Sequence, residues 1–449
     1  MSSQAIHKKD ERPNSKLDEQ LLLYKKHFST NELPDYLKSN LGKYYTPPLL
    51  VNLVRELVLP YVRPDSVVLD LAAGCGAFLD AFPDNASIIR DIDIEAINFL
   101  KAVGYPYAML DNSLLNVSRN KYGLHNHDHL VCIGNPPYND ITSLNKRLGI
   151  NAKRDINFEL DSDIRSNDLG TSFLRAFGKL GADIICVLHP LSYLIKESNY
   201  HNRLKNFTKD YRLQEGVIFS SNEFSDTQGT PFPIVAALYI KDFMGMDYEF
   251  IKQFKFKILN SDEVFVLSTY ETTDGYISKY APTRHQVKSS DIGLYMHNFR
   301  DLNSLKSIGN LSDKYQEGVF LPVQAKELYK YAYLNALRRY FPKDFRWGNL
   351  SPLVIRKQLG SDSFLRDACI IDTIVNNQRL DCFKPNSPIV IKLLADYQTK
   401  TAPANQPDIY GKFALFCNQE TVLWRELEEF LKEYFINLPA LMKQRKEQA

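Results

Sequence analysis

VVLDLAAGCGAF, residues 67–78, is a run of β-branched and aliphatic residues that ends in Asp70 and passes into a turn with glycines at 74 and 76. An apolar run without alternation belongs to a strand buried on both faces. Glycines at a strand-to-helix turn let the backbone come close to a ligand, and a carboxylate at the strand end holds an ammonium or a hydroxyl. Outward from this stretch the pattern repeats. ASIIRDI (86–92), LVCIG (130–134) and ADIICVL (182–188) read as further buried strands, and IEAINFLKAV (94–103) and TSFLRAFGKL (171–180) as amphipathic helices. Strands alternating with helices predict a parallel α/β sheet. GVIFS (216–220) and PIVAALYI (233–240) are separated by a polar stretch too short for a crossover helix, so this last pair is expected to run antiparallel.

The chain has 449 residues, 44% hydrophobic and 24% charged, a globular composition long enough for two or three domains. Three segments are expected: a polar lead-in over 1–40, an α/β domain over 41–245, and a less regular, Tyr-rich domain over 246–449 that ends in a helical run near 421–445. No apolar stretch approaches the ~18–20 residues of a membrane helix, and the first twenty residues have no apolar core. The six cysteines are scattered without a C-x-x-C pair, which points away from disulfides and structural zinc and toward a reducing cytoplasm.

Net charge is only +2, but residues 321–360 hold eight basic and two acidic residues. Lys330, Arg338, Arg339 and Arg346 alternate there with Tyr329, Tyr331, Tyr333, Tyr340 and Trp347. Such a window either follows a nucleic-acid backbone or is a solvated face beside a core stripe.

About twenty residues after the first strand, Asp91 stands where doubly wound folds hydrogen-bond a ribose diol, and Asp93 fits a helix N-cap. With no G-x-G-x-x-G, a nicotinamide is disfavoured, whereas S-adenosylmethionine also offers a ribose. The sharpest element is Gly134-Asn135-Pro136-Pro137-Tyr138 at the end of a buried strand. Two prolines remove two N–H donors and fix the backbone, which leaves carbonyls and the Asn135 amide oxygen as acceptors beside an aromatic ring. This suits a planar exocyclic amine.

In these residues and their order, the chain resembles the gamma-class N6-adenine DNA methyltransferases of bacterial type II restriction–modification systems. The family's G-x-[FY]-[FY]-T-P element is similar to Gly42-Lys43-Tyr44-Tyr45-Thr46-Pro47, its D-x-x-x-G-x-G-x-F to Asp70–Phe78, and its [DN]-P-P-[YF] to Asn135–Tyr138. The resemblance covers about residues 40–242 and implies a Rossmann-like S-adenosylmethionine-dependent methyltransferase sheet with an antiparallel last strand, plus a C-terminal mixed α/β DNA-recognition domain. It assigns cofactor binding to Tyr45, Thr46, Asp70, Ala72, Gly74, Gly76, Asp91, Ile92 and Asn112. The last replaces the family's aspartate, and Asp111 stands beside it as a substitute. Asn135, Pro136, Pro137 and Tyr138 become catalytic. A flipped base would stack between Tyr138 and either Phe224 or Phe232. Lys330, Arg338, Arg339 and Arg346 would meet double-stranded DNA, with a restriction endonuclease acting as a separate partner.

Cytosine C5 chemistry needs a nucleophilic Pro-Cys, which the sequence lacks, and Cys132 reads as core. No Asp or Glu has Lys two positions later, so the common nuclease core is not expected, and no metal is called for. His125, His127 and His129 read as a polar loop, and His189-Pro190 as a border of the pocket. The competing expectations are another amino acceptor (N4-cytosine, rRNA guanine or protein glutamine) and a non-catalytic DNA-binding specificity protein.

Overall fold

The computed structural model describes residues 46–138, 159–204, 206–224, 230–282, 289–307 and 311–448, and the chain divides into two compact units. Unit 1 comprises residues up to Tyr193, Ser198–Gln228 and Ile234–Asp247, and unit 2 takes Leu194–Glu197, Gly229–Pro233 and Tyr248 onward. The 1–40 lead-in and Tyr45 lie outside the described residues.

Unit 1 is a mixed α/β, Rossmann-like fold. Its strands are β1 (Val67–Asp70), β2 (Ala86–Asp91), β3 (Met109–Leu110), β4 (Leu130–Gly134), β5 (Ile184–Pro190), β6 (Tyr211–Ser220) and β7 (Pro233–Lys241), in the order 3-2-1-4-5-7-6. β1 runs parallel to β2 and β4, β4 is parallel to β5, and β7 is antiparallel to β5 with Val187 opposite Ala237. The continuous apolar runs form the interior: all five residues of β4 are buried, as are six of the seven in β5. Since β1, β2, β4 and β5 are parallel, Asp70, Asp91, Gly134 and Pro190 all end at one edge. The crevice between β1 and β4, where strand order reverses, is where open α/β sheets bind ligands.

Three helices matter for that edge. α1 (Pro48–Val58) starts with proline at its first turn, buries Leu50, Val51, Val54 and Val58, and packs on β5. α2 (Ile94–Ala102) is capped by Asp93, whose carboxylate accepts the Glu95 N–H at 3.0 Å. Its Ile97 and Leu100 join Ala73, Ile89 and Ala108 in a core under the glycine turn. α3 (Leu169–Lys179) is capped by Asp168, three residues upstream of Thr171, so it starts two residues before the stretch read as helical from sequence.

The glycine turn is tight for steric reasons. Gly76 has φ +82°, and a Cβ there would lie 2.5 Å from Leu79 Cδ1 and 2.6 Å from Leu100 Cδ2. Leu100 is fully buried. Gly76→Ala should therefore combine left-handed strain with overpacking and destabilise unit 1 by about 2–4 kcal/mol, read as a lower midpoint in chemical denaturation. An unchanged midpoint would contradict this packing.

Unit 2 opens with the antiparallel pair β8 (Phe256–Ile258) and β9 (Ser261–Phe265). A three-stranded antiparallel sheet follows, with β10 (Leu294–His297) between β11 (Leu311–Ser312) and β12 (Phe320–Val323). Its longer helices are α4 (Leu328–Tyr340), α5 (Ser363–Val375), α6 (Pro388–Tyr397), α7 (Ile409–Cys417) and α8 (Arg425–Glu447), with α4 and α5 packed together.

The basic and aromatic window of unit 2 is partly taken up within that unit. Tyr331, Tyr333, Leu334 and Leu337 of α4 and Trp347 beyond it are buried and form core, while Tyr329 and Tyr340 are half-buried. Three of the four cations named above are engaged within the same unit. Arg346 pairs with Glu263 and with Asp344 at 2.5 Å, and Arg339 reaches Asp372 at 3.6 Å and Glu428 at 3.8 Å. Lys330 binds Glu327 at 3.3 Å and lies 4.8 Å from the Tyr276 ring centroid, while Arg338 buries its Nε.

Candidate functional site

Backbone chemistry at the three strand ends assembles the site. Asp70 is 4% exposed, and its Oδ1 accepts the Ala72 N–H at 3.2 Å. Burial pushes its carboxyl up to about 7, against the Ala72 hydrogen bond and with the Asp91 charge adding to the rise. β4 ends beside it. A Cβ at Gly134, φ +150°, would stand 3.1 Å from Asp70 Oδ1, so glycine suits the close approach of β4 to the carboxylate.

Asp91 ties the turn to the second strand. Its Oδ2 accepts the Gly74 N–H at 2.7 Å and its Oδ1 the Asp93 N–H at 2.8 Å. Gly74 has φ +50° and open space where a Cβ would point. Ile92, next along, is 56% exposed, as an apolar wall for a ligand ring requires. Cys75 and Cys132 have thiols pushed up by burial, so neither is a ready nucleophile.

The Asn135 side chain donates from Nδ2 to Thr46 Oγ1 at 3.2 Å, and Thr46 is itself buried just before α1. Asn135 Oδ1 is buried without a hydrogen-bond partner among the described residues. An amide oxygen desolvated in this way costs about 1–3 kcal/mol unless something donates to it. The structure thus holds a fixed acceptor ready for a donor, with Pro136 and Pro137 supplying no N–H to fill it. Tyr138 is half-buried beside it.

Several expected residues do something else. Asn112 Oδ1 accepts the Leu114 N–H at 3.1 Å and its Nδ2 donates to Glu159 O at 2.7 Å, closing a turn. Asp111 is held by Lys121 at 2.8 Å. Phe224 is 2% exposed and packs edge-on against Phe219 at 6.0 Å, so it is core in this conformation and presents no face to a base. Phe232, the other choice, is half-buried. His129 bonds Ser66 at 2.8 Å, a local structural role. Among the described residues no group of three His, Cys, Asp or Glu is arranged to hold a metal, and no helix is long and apolar enough to cross a membrane.

His189 is fully enclosed. Nδ1 faces Pro190 O at 3.0 Å and Nε2 faces the Tyr239 hydroxyl at 2.7 Å, and burial lowers its pKa to about 4. It is a neutral packing residue, not a proton carrier.

No protein-family model matches the chain, and no curated protein does. Among solved structures, the chain is similar to one assigned as the modification subunit of a type I restriction enzyme of Vibrio vulnificus YJ016, at 15% identity and TM-score 0.35, over 51% of this chain and 49% of that one. It is also similar to a Listeria monocytogenes chain assigned as a class I S-adenosylmethionine-dependent methyltransferase (14% identity, TM-score 0.35, 50% and 67% covered). The M protein of type I restriction enzyme EcoKI gives 15% identity and TM-score 0.31 over 44% of each chain. The likeness thus spans about half, or less, of the length of these restriction-enzyme subunits.

Proposed function

We propose that unit 1 is an S-adenosylmethionine-dependent methyltransferase that modifies the N6 amino group of adenine in DNA, as the modification component of a restriction–modification system. The observation that carries this is the buried, unpartnered Asn135 oxygen at the end of β4, between the Asp70–Gly76 turn and Tyr138. The residues present fit the cofactor. Asp91 would hold the ribose hydroxyls, the glycine turn would admit the chain close to the backbone, and Asp70 would face the cationic end. Bound there, S-adenosylmethionine supplies a methyl group on a sulfonium.

The rest is positioning and electrostatics. An adenine amine is a weak nucleophile because its lone pair is conjugated with the ring. Asn135 Oδ1 and the Pro136 carbonyl accept its two N–H bonds and draw the nitrogen lone pair out of conjugation. Thr46 fixes the Asn135 amide, so these acceptors need no reorganisation during transfer. Tyr138 stacks on the base, which must leave the duplex to reach this crevice. Phe224 would have to leave the core to complete a sandwich, so Tyr138 carries the stacking in this proposal.

A second reading keeps the reaction and changes the acceptor. Lys330, Arg339 and Arg346 of the basic window are paired with carboxylates of unit 2, and another planar amine or amide (cytosine N4, guanine in RNA, or a glutamine side chain) fits the same two acceptors.

The cofactor assignment has a pH signature. Asp70 titrates near 7 in the folded chain against 3.8 for the free group. Its stabilising share is therefore complete below about pH 4 and lost as pH rises through about 7. A cationic ligand acts in the other direction, because it binds the ionised carboxylate. Calorimetry should show S-adenosylmethionine affinity rising with pH, by up to about tenfold per unit below pH 7, and levelling above it. Asp70→Asn should remove the slope. A slope that persists in Asp70→Asn would place the titrating group elsewhere.

A further inference from the structure

The first turn of α3 contains a glycine on which two tyrosines close. A Cβ at Gly170 would lie 2.8 Å from the Tyr193 hydroxyl, 3.0 Å from Tyr138 Cβ and 3.4 Å from Asp168 Oδ1. Tyr138 belongs to the acceptor stretch; Asp168, Tyr193 and nearby Arg203 have no part in the chemistry described so far. Asp168 is 4% exposed and caps α3, accepting the Thr171 N–H at 3.2 Å. The same carboxylate accepts the Tyr193 hydroxyl and pairs with Arg203 at 2.8 Å. Tyr193 is 1% exposed, with its ring stacked on His189 at 5.1 Å and the Arg203 guanidinium 5.8 Å from its centroid.

A buried charge held by a helix N-terminus, an arginine and a phenol has little freedom, because losing any one partner leaves the others desolvated. The Tyr193 hydroxyl is thus a fixed stop rather than the loose end of a side chain. Anything added at Gly170 is pressed toward Tyr138.

We propose that Asp168, Tyr193 and Arg203 are positioning residues whose pinned phenol, acting across the bare backbone of Gly170, sets where the Tyr138 side chain leaves the acceptor loop. The consequence for catalysis rests on the methyltransferase reading; the geometry does not.

The experiment places 3-fluorotyrosine at position 138 in the full chain and follows its ¹⁹F resonance, beside S-adenosylmethionine affinity and single-turnover methyl transfer to duplex DNA. Gly170→Ala should shift the resonance and slow transfer by about ten- to a hundredfold, with cofactor affinity unchanged. Tyr193→Phe keeps the ring but removes the stop, and should broaden the resonance. The double variant, relieved of the 2.8 Å collision, should return toward wild type in both resonance and rate, a non-additivity that mere destabilisation does not give. Should Gly170→Ala not fold, the Tyr193→Phe resonance decides. A Tyr138 signal unmoved in folded variants, or a double variant worse than the sum of the singles, overturns the proposal. The expected resonances in a chain that methylates no acceptor would sink the methyltransferase reading and leave the positioning intact.

Discussion

Asn135→Ala is expected to lower the single-turnover rate of methyl transfer by about 10²–10³-fold while leaving S-adenosylmethionine affinity within about twofold of wild type. The asymmetry follows from geometry. Asn135 Oδ1 is a buried acceptor with no partner among the described residues, whereas the glycine turn and Asp91 hold their hydrogen bonds without it. Alanine removes the acceptor that localises the amine lone pair and leaves Thr46 Oγ1 without its 3.2 Å contact. The variant should therefore show a lost transition-state interaction rather than weakened uniform binding. A variant that loses cofactor affinity in proportion to rate would show that Asn135 holds the cofactor pocket together instead.

The opposite split is expected at Asp91. Asp91→Ala should weaken S-adenosylmethionine binding by about 10²-fold or more, as charge-assisted hydrogen bonds to two hydroxyls are lost. The same substitution frees the Gly74 and Asp93 N–H groups now held at 2.7 and 2.8 Å, so the thermal midpoint should fall as well. Asp91→Asn keeps one acceptor oxygen and should fall between. Calorimetry on the three proteins checks the order, and equal affinity for wild type and Asp91→Ala would remove Asp91 from the cofactor site.

Much of unit 1 was legible because its central strands are buried on both faces. LVCIG and IICVLHP are buried at nearly every position, and that continuity is visible in sequence, whereas β2, also read as a buried strand, keeps only Ile89 buried. The short loop between 220 and 233 placed β6 and β7 side by side, and β7 is antiparallel to β5. β3, with two residues, has no period to detect, and α1 is hidden behind Pro47-Pro48, which reads as a break until its role as a helix start is seen. Asn135, Asp70 and Asp91 were legible through their places at strand ends. The Thr46 contact joins residues 89 apart, and neither its geometry nor the empty lone pairs of Asn135 can be counted along a chain.

The residues whose surroundings sequence did not show share one cause. Tyrosine and arginine have an apolar body and a polar tip, so composition alone does not say which end is buried. In α4, Tyr331 and Tyr333 face inward, and Arg339 and Arg346 each have one partner more than eighty positions away, Glu428 and Glu263, beside the nearer Asp372 and Asp344. Phe224 came from the resemblance, and only packing shows that its ring lies edge-on to Phe219. The Asp168–Tyr193–Arg203 cluster was missed for the same reason. Its one local trace was the Asp-x-x-Thr cap, which moves the start of α3 to Leu169.

Transfer of a labelled methyl group from S-adenosylmethionine to duplex DNA, followed by digestion to nucleosides, tests the assignment most directly. Label is expected in N6-methyladenosine with the wild-type chain and at background with Asn135→Ala. Cofactor binding without label in any deoxynucleoside, but with label in RNA or protein, would contradict the DNA assignment and move the acceptor to another planar amine or amide.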